Sequence, residues 1–150
     1  MMSALPEPTM DERFTAAVHN CARIWRLAID KRLKHLGIGQ SGWMTIAVIA
    51  KTAAPLSQRA LADLVGVEGP SMVSMLDRLE RDGLVERVAS PTDRRVKLVQ
   101  LTEDGGKVFA EVKKEAAAFR ALLLDGVDPD ELAGATRLLE ALRKRIEDTL

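Results

Sequence analysis

The sequence predicts a mainly α-helical protein with a small β-hairpin wing, a winged helix-turn-helix carried between longer flanking helices. Three observations lead there. Residues 57–82 hold two short amphipathic segments separated by the turn formers Gly66 and Gly69-Pro70. Immediately downstream, Leu84–Val88 and Val96–Leu101 read as short strands around a polar tip, residues 89–95, that carries Asp93-Arg94-Arg95. On either side, residues 10–36 and 102–150 repeat apolar positions at steps of three and four, the period of long amphipathic helices.

Each element has a local cause. Residues 1–9, with two prolines and little periodicity, are expected to form a mobile arm. Phe14, Val18, Cys21, Trp25 and Ala28 make one stripe along a first helix from Met10 to Leu36, which Gly37 and Gly39 end. A second helix runs from Gln40 to Lys51, and Pro55 closes the loop after it. Ser57 caps a third, whose Leu61, Leu64 and Val65 share one side and which stops at Gly66. Pro70 opens a fourth at a position where its missing N–H wastes no bond, and Gly83 stops it. Thr102, followed by Glu103 and Asp104, starts a fifth helix with Phe109, Val112, Ala116, Phe119 and Leu123 on its stripe. After Gly126, Asp128-Pro129-Asp130-Glu131 supplies a cap, a first-turn proline and a capping-box glutamate for a last helix.

The length fits a single domain over 10–150, with 57–101 as the winged-helix lobe. The flanking stripes at 10–36 and 102–150 exceed what so small a lobe can cover, so they are expected to form the helical dimerisation region of a two-fold homodimer. No apolar run reaches membrane-spanning length, no signal-peptide pattern opens the chain, and the lone Cys21 excludes an internal disulfide. These features fit the cytoplasm. Net charge is zero, and residues 57–101 carry seven positive and seven negative side chains. A nucleic-acid surface must therefore come from segregation of charge, not from excess.

Two groups of residues carry the chemistry. On the fourth helix Met72, Leu76 and Leu79, with Val73 at the edge, make a core stripe, while Ser71, Ser74, Met75 and Arg78 occupy a separate face at i, i+3, i+4 and i+7. Small and hydroxyl side chains permit close approach to a groove, and an arginine can fork onto guanine. At the wing tip, arginine in a narrow minor groove gains from the negative potential there, and Asp93 can hold the side chain in pose. Taken alone, each group also suits a solvated helix face or a charged turn; it is their order, helix-turn-helix and then basic tip, that points to duplex DNA.

The segments G-V-E-G-P-S-M-V-S-M-L-D-R-L-E-R-D-G-L-V-E-R and D-R-R-x-K-L-V-x-L-T resemble the multiple-antibiotic-resistance regulator (MarR) family of winged-helix transcriptional regulators. R-I-W-R-L-A-I-D-K-R-L and L-G-I-G-Q-S-G-W-M-T-I are similar to its SlyA-like branch. The match runs from about Arg23 to Asp104. The resemblance implies homodimers whose recognition helices enter successive major grooves of a palindromic operator while the wings reach flanking minor grooves. It would put Pro70, Ser71, Ser74 and Met75 at the DNA, Arg95 in the minor groove and Asp93 in support. Ser74 is a departure, since members of this branch often carry arginine there; either Arg78 takes over or major-groove specificity differs. The resemblance also implies a site for small aromatic carboxylates, matched by Arg23, Arg26 and Trp43. Guanidinium groups fork onto a carboxylate and an indole stacks on a ring. The same three residues equally suit surface ion pairs and a core tryptophan.

The expected function is thus a sequence-specific DNA-binding regulator, acting as a repressor modulated by a small anionic aromatic ligand. A winged-helix module for protein contact is the rival that zero net charge encourages. A redox-sensing regulator using Cys21 is another, although related sensors place the thiol nearer Thr15 and activate it with tyrosine, which this chain lacks. Cys21 on the apolar stripe is expected to be buried and inert. No nucleophile motif or phosphate loop favours an enzyme, and His19 and His35 are too far apart on one helix to share a metal. No cofactor is expected.

Overall fold

The computed structural model describes residues 5–150; the first four residues of the expected arm lie outside the described residues. The chain divides into two compact units, one ending at Ala116 and the other running Ala117–Leu150.

Helix α1, Met10–Arg32, opens with a capping box: the Glu12 N–H donates to the Thr9 hydroxyl, and the Thr9 N–H donates to the Glu12 carboxylate at 2.8 Å. It stops short of Leu36, because a 3-10 turn over Lys34–Leu36 takes the last residues and Gly37 closes it with φ of 69°. Only its end joins the core, through Ile29 and then Leu33. Along the rest of the expected stripe Phe14 and Cys21 are exposed, while Val18, Trp25 and Ala28 are half-buried. The expectation of a buried Cys21 is therefore not met in the single chain, where its side chain is exposed.

Helix α2, Gly39–Lys51, runs through the core and buries Trp43, Thr45, Ile46 and Ile49. A two-residue strand β1, Leu56–Ser57, leads into α3, Gln58–Val65, whose cap is the Ser57 hydroxyl accepting from the Ala60 N–H at 3.1 Å. Gly66, at φ of 80°, turns the chain out of α3 in the left-handed conformation. Helix α4, Gly69–Arg81, follows with Pro70 in its first turn. Leu64 does not join the α3 core face as expected and is 61% exposed. Burial of Leu61 and Ala62 centres the packed face between them, about 110° away from Leu64 around the helix.

Strands β2, Val85–Ala89, and β3, Lys97–Leu101, pair antiparallel from Val85↔Leu101 to Ala89↔Lys97. Both begin one residue later than the sequence indicated. The sheet order is β1-β3-β2, with Leu56 opposite Val99. Ile46, Leu61, Met72, Leu76, Leu79, Val85 and Val99 are all at most 2% exposed and form the centre of the core, so helix-turn-helix and wing share one packed interior.

Thr102 fastens the base of the wing to α5, Glu103–Leu124. Its hydroxyl donates to the Gly83 carbonyl at 2.6 Å and accepts from the Gly105 N–H at 3.1 Å. Gly105 has no room for a side chain, since a Cβ there would lie 2.0 Å from the Leu84 carbonyl oxygen. Arg32–Glu115 at 3.2 Å links the end of α1 to α5, and His35–Glu111 at 3.5 Å links the 3-10 turn after it to the same helix.

In the second unit α5 ends before Gly126, and α6, Pro129–Glu147, is capped by Asp128 accepting from the Asp130 N–H at 3.1 Å. The reciprocal capping-box bond expected of Glu131 does not form; that motif sits at Thr9 and Glu12 instead. No residue of α6 is buried. No helix among the described residues is long and apolar enough to cross a membrane.

Candidate nucleic-acid interface

Helix α4 divides as its sequence periodicity requires. Met72, Leu76 and Leu79 are at most 1% exposed and Val73, at the edge, is 39% exposed. On the other side Pro70, Ser71, Ser74, Met75 and Arg78 line one open concavity of about 590 Å³. Arg81 completes that lining and was missed in the sequence, although it extends the same helical face one step of three beyond Arg78. An Nη2 of Arg78 rests 3.3 Å from the Met75 sulfur, a weak acceptor that a stronger one can displace. Neither Arg78 nor Arg81 has a carboxylate within ion-pair distance among the described residues.

The segregation of charge that the balanced count demanded comes from Arg87. Its side chain is 17% exposed and turns inward from β2 to α4, where it pairs with Asp77 and, at 3.3 Å, with Glu80. A third nitrogen donates to the Gln58 amide oxygen at 3.0 Å. The bond to Asp77, and then Glu80, holds the guanidinium pKa above its ordinary value against the opposing effect of burial. The two acidic side chains on α4 are thus paired on the flank, leaving Arg78 and Arg81 as the charged groups that line the concavity.

At the wing tip, the Ser90 N–H donates to the Val96 carbonyl at 2.9 Å and the Val96 N–H to the Asp93 carbonyl at 3.0 Å, closing a tight loop. Asp93 accepts from the backbone N–H of Arg95 at 3.1 Å and from its Nε at 3.2 Å. The Arg95 side chain nevertheless stays 91% exposed. It is oriented by the carboxylate and projected into solvent, the arrangement the D-R-R pattern implied. Arg94 beside it is exposed.

The three residues matched to a ligand site are placed differently. Arg23 and Arg26 are exposed on α1, three residues apart and so on one face. Trp43 is 9% exposed, and its indole N–H donates to Asp30 at 3.1 Å, one helical turn beyond Arg26. The tryptophan is therefore a core residue that touches the end of the arginine face. Among the described residues no group of three His, Cys, Asp or Glu side chains could hold a metal ion.

A short helix-turn-helix sharing its core with a hairpin, and exposing arginines on both the second helix and the hairpin tip, defines a winged-helix protein. The MarR family profile matches residues 36–96. The chain is 36% identical to the transcriptional regulator PA3341, with a TM-score of 0.83, covering 90% of this chain and 98% of that one. It also superposes on CouR from Rhodococcus jostii RHA1, bound there to p-coumaroyl-CoA, at 22% identity and a TM-score of 0.76, covering 91% and 95%. The regulator SlyA aligns at 18% identity and a TM-score of 0.77, covering 90% and 94%. Likeness at these last two identities is one of fold. The chain belongs to the MarR family of transcriptional regulators.

Proposed function

We propose that the protein is a sequence-specific DNA-binding regulator of the SlyA-like branch that acts in the cytoplasm as a homodimer on a palindromic operator. The observation that carries the reading is the pairing of two exposed cationic elements on one core: Arg78 and Arg81 on α4, and Arg95 on the wing. The expected contacts are Pro70, Ser71, Ser74, Met75 and Arg78 in the major groove, with Arg94 and Arg95 in the flanking minor groove and Asp93 in support. Arg81, near the end of α4, suits a phosphate. Exposed apolar side chains on α1 and α6 support the dimer, since Phe14, Leu139 and Ile146 gain nothing from facing water. Such a dimer covers the stripe on which Cys21 lies, which disfavours a redox role for its exposed thiol.

The action is that of a repressor relieved by a small aromatic anion at Arg23 and Arg26, with Trp43 closing one end of the site. CouR, a fold neighbour bound to p-coumaroyl-CoA, supports an aromatic-acid class. The expected ligand is benzoate-like or salicylate-like. A preference of about tenfold for a conformation that mismatches DNA, roughly 1.4 kcal/mol, appears reciprocally as weaker ligand binding to the operator complex. Calorimetric titration of salicylate into wild type, Arg26→Ala and Trp43→Ala, with and without operator, checks it. Equal affinity in all three proteins removes these residues from the site.

DNA binding itself is tested by titrating random-sequence duplex at increasing salt. Phosphate neutralisation releases counterions, so log affinity falls linearly with log salt concentration. Absence of any duplex binding at low salt would favour the protein-contact module instead.

A further inference from the structure

The wing is weakly fixed by its own sheet. Strand β1 pairs two residues with β3, and β2 is the opposite edge, with no strand on its outer side among the described residues. Only Val85 of β2 is buried, and Val88 and Ala89 are exposed. Beyond Leu98, towards the tip, the wing is a two-stranded ribbon, and such a ribbon is only marginally stable by itself. Arg87 lies between the buried base and the exposed tip, and each of its three side-chain nitrogens bonds to a different residue: Nε to Glu80 at 3.3 Å, Nη1 to Gln58 at 3.0 Å, and Nη2 to Asp77. Its backbone N–H also donates to Glu80 at 3.2 Å. Gln58 is the first residue of α3, and Asp77 and Glu80 are on α4. One planar guanidinium thus ties the wing to both helices of the helix-turn-helix.

We propose that Arg87 is a positioning residue that fixes the spacing between the α4 reading face and the wing tip, so that both grooves are engaged at once. An apolar side chain at this inward position could fill the space, but its packing is non-directional. A planar fork with three committed donors sets an orientation that neither an apolar group nor the point charge of lysine reproduces. The proposal rests on the DNA-binding reading, and it gives Arg87 no contact with DNA. Its prediction for Asp77 is opposite in sign to that of simple electrostatics. Removing a negative charge from α4 should tighten binding to phosphate, whereas releasing the tether should weaken it.

The test compares Asp77→Asn, Arg87→Met, Arg95→Ala and the Arg87→Met/Arg95→Ala double variant, measuring affinity for a selected operator fragment and amide exchange over residues 88–97. Asp77 is half-exposed and its replacement is nearly isosteric, so that variant judges the proposal even if Arg87→Met does not fold. The expected results are about threefold weaker binding by Asp77→Asn and about tenfold by Arg87→Met, with faster exchange across the wing in both. In the Arg87→Met background, Arg95→Ala should cost less than about threefold, because the wing is already misplaced. Equal or tighter binding by Asp77→Asn, or fully additive losses in the double variant, overturns the proposal. If wild type binds no duplex, the DNA-binding reading fails separately, and unchanged wing exchange in Asp77→Asn and Arg87→Met then still overturns the tether.

Discussion

The winged-helix lobe and the second unit answer the same physical demand in opposite ways. The lobe closes its core together with α2 of the first unit, with Ile46, Leu61, Leu76 and Leu79 fully buried between helices and sheet. The unit Ala117–Leu150 buries no residue at all within its own chain. On α6 the side chains Leu132, Ala135, Leu139, Leu142 and Ile146 recur at steps of three and four, a heptad-like seam, and Leu139 and Ile146 are 46% and 60% exposed. Periodicity establishes that a helix has an apolar face; it does not say which chain covers that face. The lobe and α2 bury a common core, whereas α6 leaves most of its seam exposed in the single chain, which is the ground for the proposed dimer.

The sharpest way to break this contrast is to cut into each region in turn. Leu76→Ala should lower unfolding stability by about 2–5 kcal/mol, the cost of lost transfer energy and a cavity in a rigid core. Denaturant titration reads this directly, and a loss below about 1 kcal/mol would mean that the lobe is not close-packed. Leu139→Asp should behave otherwise, weakening self-association by about 2–4 kcal/mol while far-ultraviolet dichroism of the lobe helices is retained. Sedimentation should then give a species of 16.4 kDa where wild type gives twice that mass.

Smaller effects belong to the arginines proposed to face DNA, which are exposed and contribute little to the fold. Arg95→Ala should weaken operator binding by about 1–3 kcal/mol in a direct titration without lowering the melting temperature. Arg78→Ala should reduce discrimination between operator and point-mutated operator by about 1–3 kcal/mol. Arg81→Ala should weaken all sequences nearly equally and reduce the salt slope by about one. A loss of discrimination in Arg81→Ala would reverse the roles assigned to the two arginines.

What was legible in the sequence was whatever is decided locally. Ser57, Gly66, Pro70 and Gly83 mark helix ends through caps, left-handed turns and a missing N–H, and the helices end where these residues stand. The serine-and-arginine face of α4 and the Asp93–Arg95 contact were likewise readable, since the partners lie within one or two turns of chain. Long-range partners were not. Strand β1 has no periodicity of its own and exists because β3 offers it an edge. The balanced charge count could not reveal that Arg87 reaches Gln58, 29 residues away, nor that Asp77 and Glu80 are paired with it. Trp43 had the chemistry for stacking on a ligand and for core packing alike, and its indole bond to Asp30 depends on how α1 and α2 meet.

Whether the protein reads DNA as a two-fold dimer is decided by hydroxyl-radical footprinting on a genomic fragment selected by the purified protein. A dimer of this kind should protect two equivalent half-sites with centres about one helical turn, roughly 10 base pairs, apart, each flanked by minor-groove protection from a wing. Protection of a single asymmetric half-site, with no flanking minor-groove signal, would contradict two-fold docking.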